Sequence, residues 1–133
     1  MILGYSSFLY KAAPQIECLT HAVYHEARGE PEYGQIAVAY VVLNRLRSEL
    51  YPDDVCKVVY QDRQFSDIED TVPNVKSKPW VTAKLISVYA YFGVYSDPTK
   101  GAKWFFNPKK VVEPSWAAKK TKTIVINNHA FYS

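Results

Sequence analysis

The length and composition of the chain are those of one globular domain. Its 133 residues lie within the ~100–200 residues that a single domain usually takes. Hydrophobic residues make up 48% and charged residues 22%, values near the globular averages that exclude disordered, collagen-like and coiled-coil proteins. The high aromatic share, 15%, supplies either buried area or surface for ring-shaped ligands. We expect a single domain over residues 1–133.

Charge is distributed unevenly along the chain. The formal net charge is +3, but residues 100–133 carry seven lysines against one acidic residue, Glu113, while the first 99 residues have a net charge of −3. Such a basic end indicates contact with a polyanion, such as nucleic acid, anionic lipid or a cell-wall polymer, or else a solubilising lysine surface. The seven are Lys100, Lys103, Lys109, Lys110, Lys119, Lys120 and Lys122.

Two cysteines and the lack of a long apolar run bear on the cellular setting. Cys18 and Cys56 have no CxxC spacing, so neither a disulfide framework nor a cysteine zinc site is indicated, and two buried thiols are expected. No stretch approaches the ~20 apolar residues of a membrane span. The start, MILGYSSFLYK, lacks the basic segment and apolar run of a signal peptide, so we expect synthesis in the cytoplasm without one.

Two helices are predicted in the first part of the chain. Over residues 14–27 apolar residues recur at spacings of three and four, Glu26 continues this apolar stripe, and Gly29 supplies the stop. A second helix is predicted from Pro31 to about Glu49, and its centre is apolar nearly all round, as expected of a core helix. The apolar stripe of the first helix comprises Ile16, Leu19, Ala22 and Val23, and its polar side comprises Glu17, His21, His25 and Arg28.

The next segment alternates short helical and irregular patterns. Asp53 is predicted to cap a short helix over residues 55–59. The polar, proline-interrupted stretch 61–79 predicts a long loop, and loops of that length are more often functional than decorative. Pro79 is predicted to open a third long helix that runs to about Tyr95 and is stopped by Asp97–Pro98.

The end of the chain predicts β-structure. Alternation over residues 103–107 predicts a strand with Phe105 and Asn107 on one face and Trp104 and Phe106 on the other. Residues 121–133 predict a β-hairpin whose turn, Asn127–Asn128, tolerates the left-handed conformation. Helices followed by a small antiparallel sheet define an α+β fold, mainly helical, with a C-terminal antiparallel β-sheet.

Glu26 is the residue whose position points to chemistry. A glutamate on an apolar stripe at the C-terminal end of a helix is disfavoured as a charged group by desolvation and by the negative end of the helix dipole, and both effects raise its pKa. A carboxylic acid kept protonated near neutral pH is what glycosidic bond cleavage requires, because the leaving oxygen must take a proton. The alternative is a structural ion pair of Glu26 with Arg28 or Arg45.

The stretch around Glu26 contains two motifs in close succession, EARGE at residues 26–30 and GQIAVAYVVLNR at residues 34–45. These motifs resemble the EARGE element and the buried GQxAVAxVVLNR helix of the SleB/CwlJ-type cell wall hydrolases, and the resemblance covers about residues 15–132. Similar segments follow in order: VCKVVYQDRQFS (55–66), DPTKGAKWFFNP (97–108) and HAF (129–131). The resemblance implies a lysozyme-like, lytic-transglycosylase-like catalytic domain that cleaves peptidoglycan glycan chains, with Glu26 as the acid/base.

The implied reaction has two outcomes. Glu26 protonates the glycosidic oxygen between N-acetylmuramic acid and N-acetylglucosamine, and its carboxylate then acts as base either for the muramoyl 6-hydroxyl, in a lytic transglycosylase, or for water, in a lysozyme-type hydrolase. The family favours the transglycosylase. A hydrolase needs a second carboxylate roughly 5–9.5 Å away. The candidates are Glu30, Glu32, Asp62, Asp67, Glu69 and Asp70.

Seven further residues are candidates for substrate binding. Gln64, Phe65 and Ser66 resemble the segment that borders the groove in transglycosylase-like domains, although Phe65 is equally expected as a core anchor of the loop. Phe105 and Asn107 share one face of the predicted strand and are candidates for contact with sugar. The tyrosines Tyr24 and Tyr33 flank Glu26, where a phenol would orient the acid or simply pack. Arg28 and Glu30 are expected to shape the turn.

Two functions of other classes compete with the glycosidase. His21, His25 and His129 are candidates for a three-ligand zinc site of a metal-dependent amidase or peptidase, although the sequence HEARG lacks the second histidine of HExxH. The lysine-rich end alternatively indicates a non-enzymatic module that binds a polyanion or the cell wall, although no nucleic-acid motif is present. For the preferred enzyme we expect no cofactor, a monomeric state and peptidoglycan strands as the partner. A lysozyme-like domain without a signal peptide or a wall-binding module resembles a phage-type lysin released during host lysis more than a secreted spore-germination enzyme.

Overall fold

The chain folds into a helical layer followed by a small sheet. The computed structural model describes residues 2–61 and 73–133, with residues 2–9 as backbone only. The described helices are α1 (Ile2–Ala27), α2 (Glu32–Leu46), α3 (Val55–Val59), α4 (Lys78–Tyr91) and a short 3-10 helix (Ser115–Lys119). The strands are β1 (Trp104–Phe106), β2 (Lys122–Ile126) and β3 (His129–Tyr132), paired antiparallel in the order β1-β3-β2. The predicted α+β class is confirmed.

Helix α1 is longer than the sequence predicts. It begins at Ile2 and passes through Pro14, where a start was predicted, so that prediction is wrong. A proline inside a helix removes one backbone hydrogen bond. The sequence pattern therefore predicts that the helix starts at Pro14 and does not extend to the residues before it. The predicted end is confirmed, because α1 ends at Ala27 and Gly29 takes a left-handed φ of 85° that a side chain would resist.

Helix α2 is the central helix of the core. Its residues from Ala37 to Leu43 are all buried, as the apolar run predicts. The helix contacts α1, α3 and α4, so it is surrounded on several sides and needs no polar face along this stretch. It ends at Leu46, before the predicted Glu49.

Helix α3 is joined to α1 by polar contacts and a covalent bond. Asp54, rather than the predicted Asp53, caps α3 by accepting a hydrogen bond from the backbone N–H of Lys57 at 3.0 Å. Gln15 of α1 donates to the Asp54 carboxylate at 2.8 Å and accepts from the N–H of Val55 at 2.6 Å.

Cys18 and Cys56 form a disulfide with a Cα–Cα distance of 5.2 Å. The prediction of two buried thiols is therefore wrong. The bridge joins α1 to α3, and contact between these two helices brings together cysteines that are 38 residues apart in the chain.

Helix α4 begins close to the predicted position and ends early. It runs from Lys78 with Pro79 in its first turn, but it ends at Tyr91 and not near Tyr95. Gly93, with a φ of 75°, follows the last turn, and the N–H of Val94 closes it by donating to the carbonyl of Tyr89 at 2.9 Å. The glycine, and not Asp97–Pro98, is therefore the stop.

The end of α2 fixes the loop that leads into β1. Asn44 donates to the Asp97 carboxylate at 2.9 Å and to the carbonyl of Ala102 at 3.0 Å, and Arg45 donates from Nε to the carbonyl of Lys103 at 2.6 Å. Burial raises the pKa of Asp97, but hydrogen bonds from Thr99, Asn44 and two backbone N–H groups outweigh it and lower the pKa below its usual value. These contacts set where β1 enters the sheet.

The sheet packs on both of its faces. Phe105 faces the helical core, whereas Trp104 and Phe106 lie on the other face with Trp116 and Tyr132. This confirms the predicted alternation of β1. The predicted hairpin is also confirmed, and Asn127 at its turn has a φ of 52°. Among the described residues, no helix has the length and apolarity that crossing a membrane requires.

Candidate active site

The last turn of α1 carries Glu26. Its side chain is partly buried, and it follows Gln15, Leu19 and Ala22 at helical spacing, which places it on the side of α1 that meets α3. The stripe predicted from the sequence is buried at Ile16, Leu19, Ala22 and Val23, and it reaches partly buried Glu26. Glu26 lies one residue before the end of α1, immediately before the turn that connects α1 to α2.

The opposite side of α1 meets α4 through an aromatic cluster. Buried Trp80 takes edge contacts from His21, with ring centroids 4.9 Å apart, and from Tyr24, at 5.4 Å. The guanidinium of Arg28 lies over the Tyr24 ring, 4.8 Å from its centroid. Tyr24 is thereby held by packing, between α4 and the turn that follows Glu26.

The hairpin turn docks against the turn between α1 and α2. The Glu30 carboxylate accepts a hydrogen bond from Asn128 at 3.2 Å through Oε2, and its Oε1 lies 3.6 Å from Nδ1 of His129. The approach is close, because a Cβ added at Gly34 would lie 2.8 Å from Nδ2 of Asn127. The α1–α2 turn is also tied to α2, since Gln35 donates to the Glu30 carbonyl at 3.0 Å. Glu30 thus fixes the turn that immediately follows Glu26.

His129 lies in a buried, mainly aromatic environment. Its side chain is 5% exposed, and Phe105 approaches it edge-on with ring centroids 5.1 Å apart. Burial lowers the pKa of His129; the Glu30 carboxylate raises it and Lys110 lowers it further. Because the folded pKa lies below the unfolded one, near 6.5, protonation favours the unfolded chain, and the free energy of unfolding decreases as the pH falls from about 6.5 through the folded pKa.

The structure places the candidate substrate-binding residues in different environments. Phe105 packs between the helical core and His129, on the inner face of β1. Asn107 caps the turn after β1 by accepting from the N–H of Lys109 at 2.9 Å. Tyr33 is 55% exposed in the first turn of α2. Gln64, Phe65 and Ser66 lie outside the described residues, as do Asp62, Asp67, Glu69 and Asp70.

The three histidines are not assembled into a metal site. His21 and His25 stack on α1 with centroids 6.0 Å apart, whereas His129 pairs with Glu30. In residues 10–61 and 73–133, no group of three or more His, Cys, Asp or Glu side chains is placed to hold a metal ion. The geometry that the metal-dependent alternative requires is therefore missing from this part of the chain.

The contact between Glu30 and the hairpin is the part of the site that the sequence did not predict in detail. Glu30 is expected to shape a turn, but its partners, Asn128 and His129, are about a hundred residues away. The sequence draws attention to both partners for other reasons: Asn128 belongs to the predicted hairpin turn, and His129 is a candidate zinc ligand. The docking of the hairpin turn against the α1–α2 turn brings them to the end of α1.

Replacing Glu30 by Gln is expected to lower the pKa of His129 further, because the carboxylate that raises it is removed. The pKa is measured by NMR titration of the His129 ring, with the rings of His21 and His25 as internal references. The matched variant Glu32→Gln changes an exposed carboxylate and should leave His129 unaffected. An unchanged or raised pKa of His129 in Glu30→Gln would contradict the contact.

Comparison with known proteins identifies the family. The profile of the cell wall hydrolase family matches residues 29–132. Three similar curated proteins are spore cortex-lytic enzymes, each 37% identical to this chain in a match that covers 87% of it. They come from Halalkalibacterium halodurans, Oceanobacillus iheyensis and Bacillus subtilis, and the match covers 34%, 40% and 36% of their respective lengths. The chain thus spans little more than a third of the length of these relatives.

Two similar solved structures are catalytic domains. One is the catalytic domain of the Bacillus cereus SleB protein, with a TM-score of 0.75 and 35% identity, covering 90% of this chain and 89% of that one. The other is the catalytic domain of the germination-specific lytic transglycosylase SleB from Bacillus anthracis, also with a TM-score of 0.75 and 35% identity, covering 90% and 93%. The resemblance stated from the EARGE element and the buried helix is confirmed. The chain belongs to the cell wall hydrolase family and has the fold of the SleB catalytic domain.

Proposed function

We propose that this chain is an enzyme that cleaves the bond between N-acetylmuramic acid and N-acetylglucosamine in peptidoglycan, with Glu26 as its catalytic acid and base. The observation that carries the proposal is the position of Glu26. It lies on the last turn of α1, partly buried, and directly before a turn that Glu30 anchors to the hairpin. The family assignment and the likeness to two SleB catalytic domains support the same activity.

The proposed reaction uses one carboxyl group twice. Protonated Glu26 donates its proton to the glycosidic oxygen, and the bond from that oxygen to C1 of the muramoyl residue breaks with the electron pair leaving on the oxygen. The Glu26 carboxylate then takes the proton of the muramoyl 6-hydroxyl, whose oxygen bonds to C1. The product is a 1,6-anhydromuramoyl end, and Glu26 returns to its protonated form. That Glu26 is protonated before the first step stays a prediction from the sequence.

Two features favour the transglycosylase over the hydrolase. Both oxygens of Glu30, the carboxylate nearest to Glu26 in the chain, face Asn128 and His129, so Glu30 serves the turn. The similar Bacillus anthracis domain is named a lytic transglycosylase. Hydrolysis is the second candidate, and it would need another carboxylate roughly 5–9.5 Å from Glu26 to activate water.

Spore cortex is the form of peptidoglycan that we propose as substrate. The support is the name shared by the curated relatives from three bacteria, each a spore cortex-lytic enzyme. None of these three is a phage lysin, so the phage-type origin expected from the sequence stays a prediction without support from them. The monomeric state also stays a prediction.

Mass spectrometry of the muropeptides released from cortex and from vegetative peptidoglycan tests the proposed function. Anhydromuramoyl ends are expected, and faster release from cortex would support the substrate. Reducing ends would instead show a hydrolase. Cut peptides, with activity lost in chelator, would overturn the proposal in favour of the metal-dependent amidase or peptidase, and binding with no product would favour the non-enzymatic module.

A further inference from the structure

Three exposed lysines lie beside the aromatic cluster that packs on the outer face of the sheet, away from the helical core. Trp104 of β1 lies beside Tyr132 of β3 in the sheet register, and Tyr132 pairs in turn with Lys122 of β2. The ammonium of Lys120 lies 3.9 Å from the centroid of the Trp104 ring, and that of Lys122 lies 6.0 Å from the centroid of Tyr132. We call this surface the basic sheet face and define it by exposed Lys119, Lys120 and Lys122 and by half-buried Trp104; Tyr132 is buried in the cluster beside them.

The basic sheet face is distinct from the candidate active site. Successive side chains of β3 alternate between faces, so His129 and Phe131 lie on the inner face with Phe105, and Tyr132 lies on the outer face. His129 contacts Glu30 at the hairpin end of β3, and Tyr132 is at the other end, roughly 10 Å further along the strand. A ligand on the basic sheet face therefore does not occupy the position beside Glu26.

The charge of this region favours an anionic ligand. Residues 100–133 contain seven lysines and one acidic residue, Glu113, and the side chains of Lys119, Lys120 and Lys122 are all exposed. Contact with the aromatic rings restricts where the ammonium groups of Lys120 and Lys122 lie, whereas lysines on an ordinary solvated surface sample many positions. Lys109 and Lys110 follow β1 at the hairpin end, so positive charge extends from the active-site end of the sheet to the basic sheet face.

We infer that the basic sheet face binds the carboxylates of the peptide stems of peptidoglycan and keeps the enzyme on the polymer during cleavage. The inference rests on the proposed function, since that function supplies a polymer that carries many carboxylates along its length. Each exposed contact is weak, but a repeating anionic polymer offers several at once. The face therefore contributes to binding the insoluble wall and not to the chemistry at Glu26.

Binding to purified peptidoglycan sacculi, measured by co-sedimentation, tests the inference. The variant Lys119→Gln/Lys120→Gln/Lys122→Gln is expected to bind about tenfold more weakly at low ionic strength, because each exposed ion pair contributes little and three are removed. The difference should shrink in high salt, and it should vanish on sacculi whose carboxylates have been converted to amides. On soluble glycan fragments without peptide stems, the variant should cleave at the wild-type rate.

A matched variant separates the face from net charge alone. Lys11→Gln/Lys76→Gln/Lys78→Gln removes three exposed lysines elsewhere and should bind sacculi like the wild type. Equal weakening in both variants, or no weakening in the first, would overturn the inference. So would binding that is lost after removal of phosphate polymers but is kept after amidation. Because binding and product release are measured separately, a wild type that binds without cleaving contradicts the proposed function and leaves the binding result intact.

Discussion

Replacing Glu26 by Gln is expected to lower the rate of glycan cleavage by roughly 10²–10⁴-fold, the usual contribution of general acid–base catalysis, and the residual rate should be close to background. Gln has nearly the shape of Glu but neither donates a proton to the glycosidic oxygen nor accepts one from the 6-hydroxyl. The rate is measured as release of soluble muropeptides from sacculi. The melting temperature should change little, because the substituted side chain is only partly buried.

The matched variant for Glu26→Gln is Glu49→Gln, which changes an exposed carboxylate in the turn after α2. It should cleave at the wild-type rate. If Glu26→Gln still cleared sacculi as fast as the wild type, Glu26 would not be the acid, and the structural ion pair that the sequence left open would be the better explanation. If Glu26→Gln lost both activity and its melting transition, the loss would report unfolding, so circular dichroism is recorded on each variant.

The sequence predicts the elements around Glu26 well, because they depend on local rules. The apolar spacing up to Glu26 and the left-handed Gly29 are properties of neighbouring residues, and both are confirmed. The same holds for the hairpin, whose Asn127–Asn128 turn matches the strands on either side. Element type and the end of α1 are therefore fixed by short stretches of chain.

Local rules fail where the sequence offers two possible starts or two possible stops for one helix. Pro14 is favourable in a first helical turn, so the pattern starts a helix there, yet α1 already begins at Ile2 and continues through it. Asp97–Pro98 is a stronger helix breaker on its own than Gly93, so the sequence predicts the stop there, but the glycine comes first and ends α4. Neither choice is decided by the nearest neighbours in the sequence.

The long-range contacts of the site are beyond the sequence for a different reason. Glu30 meets Asn128 and His129 only because the hairpin folds back onto the α1–α2 turn. Gly34 permits that approach by lacking a side chain, a role that its place in the GQxAVAxVVLNR pattern does not reveal. The pairing of Cys18 with Cys56 likewise depends on contact between α1 and α3, and the spacing of two cysteines does not predict it.

Removing the disulfide is expected to be the most destabilising of the substitutions considered. The bridge closes a loop of 38 residues, and the loss of that constraint on the unfolded chain corresponds to about 4 kcal/mol of unfolding free energy. For a chain of this size, the double variant Cys18→Ala/Cys56→Ala should melt roughly 10–15 °C lower than the oxidised wild type. The measurement is differential scanning calorimetry of both proteins, with and without a reducing agent.

The reducing agent supplies the control within the same experiment. It should lower the melting temperature of the wild type to near that of the double variant, and it should leave the double variant unchanged, because no other cysteine exists in the chain. A wild type insensitive to reduction, or free thiols in the unfolded oxidised protein, would contradict the bridge. Disulfides persist in oxidising compartments, so the bridge agrees with the proposed action on a cell-wall polymer.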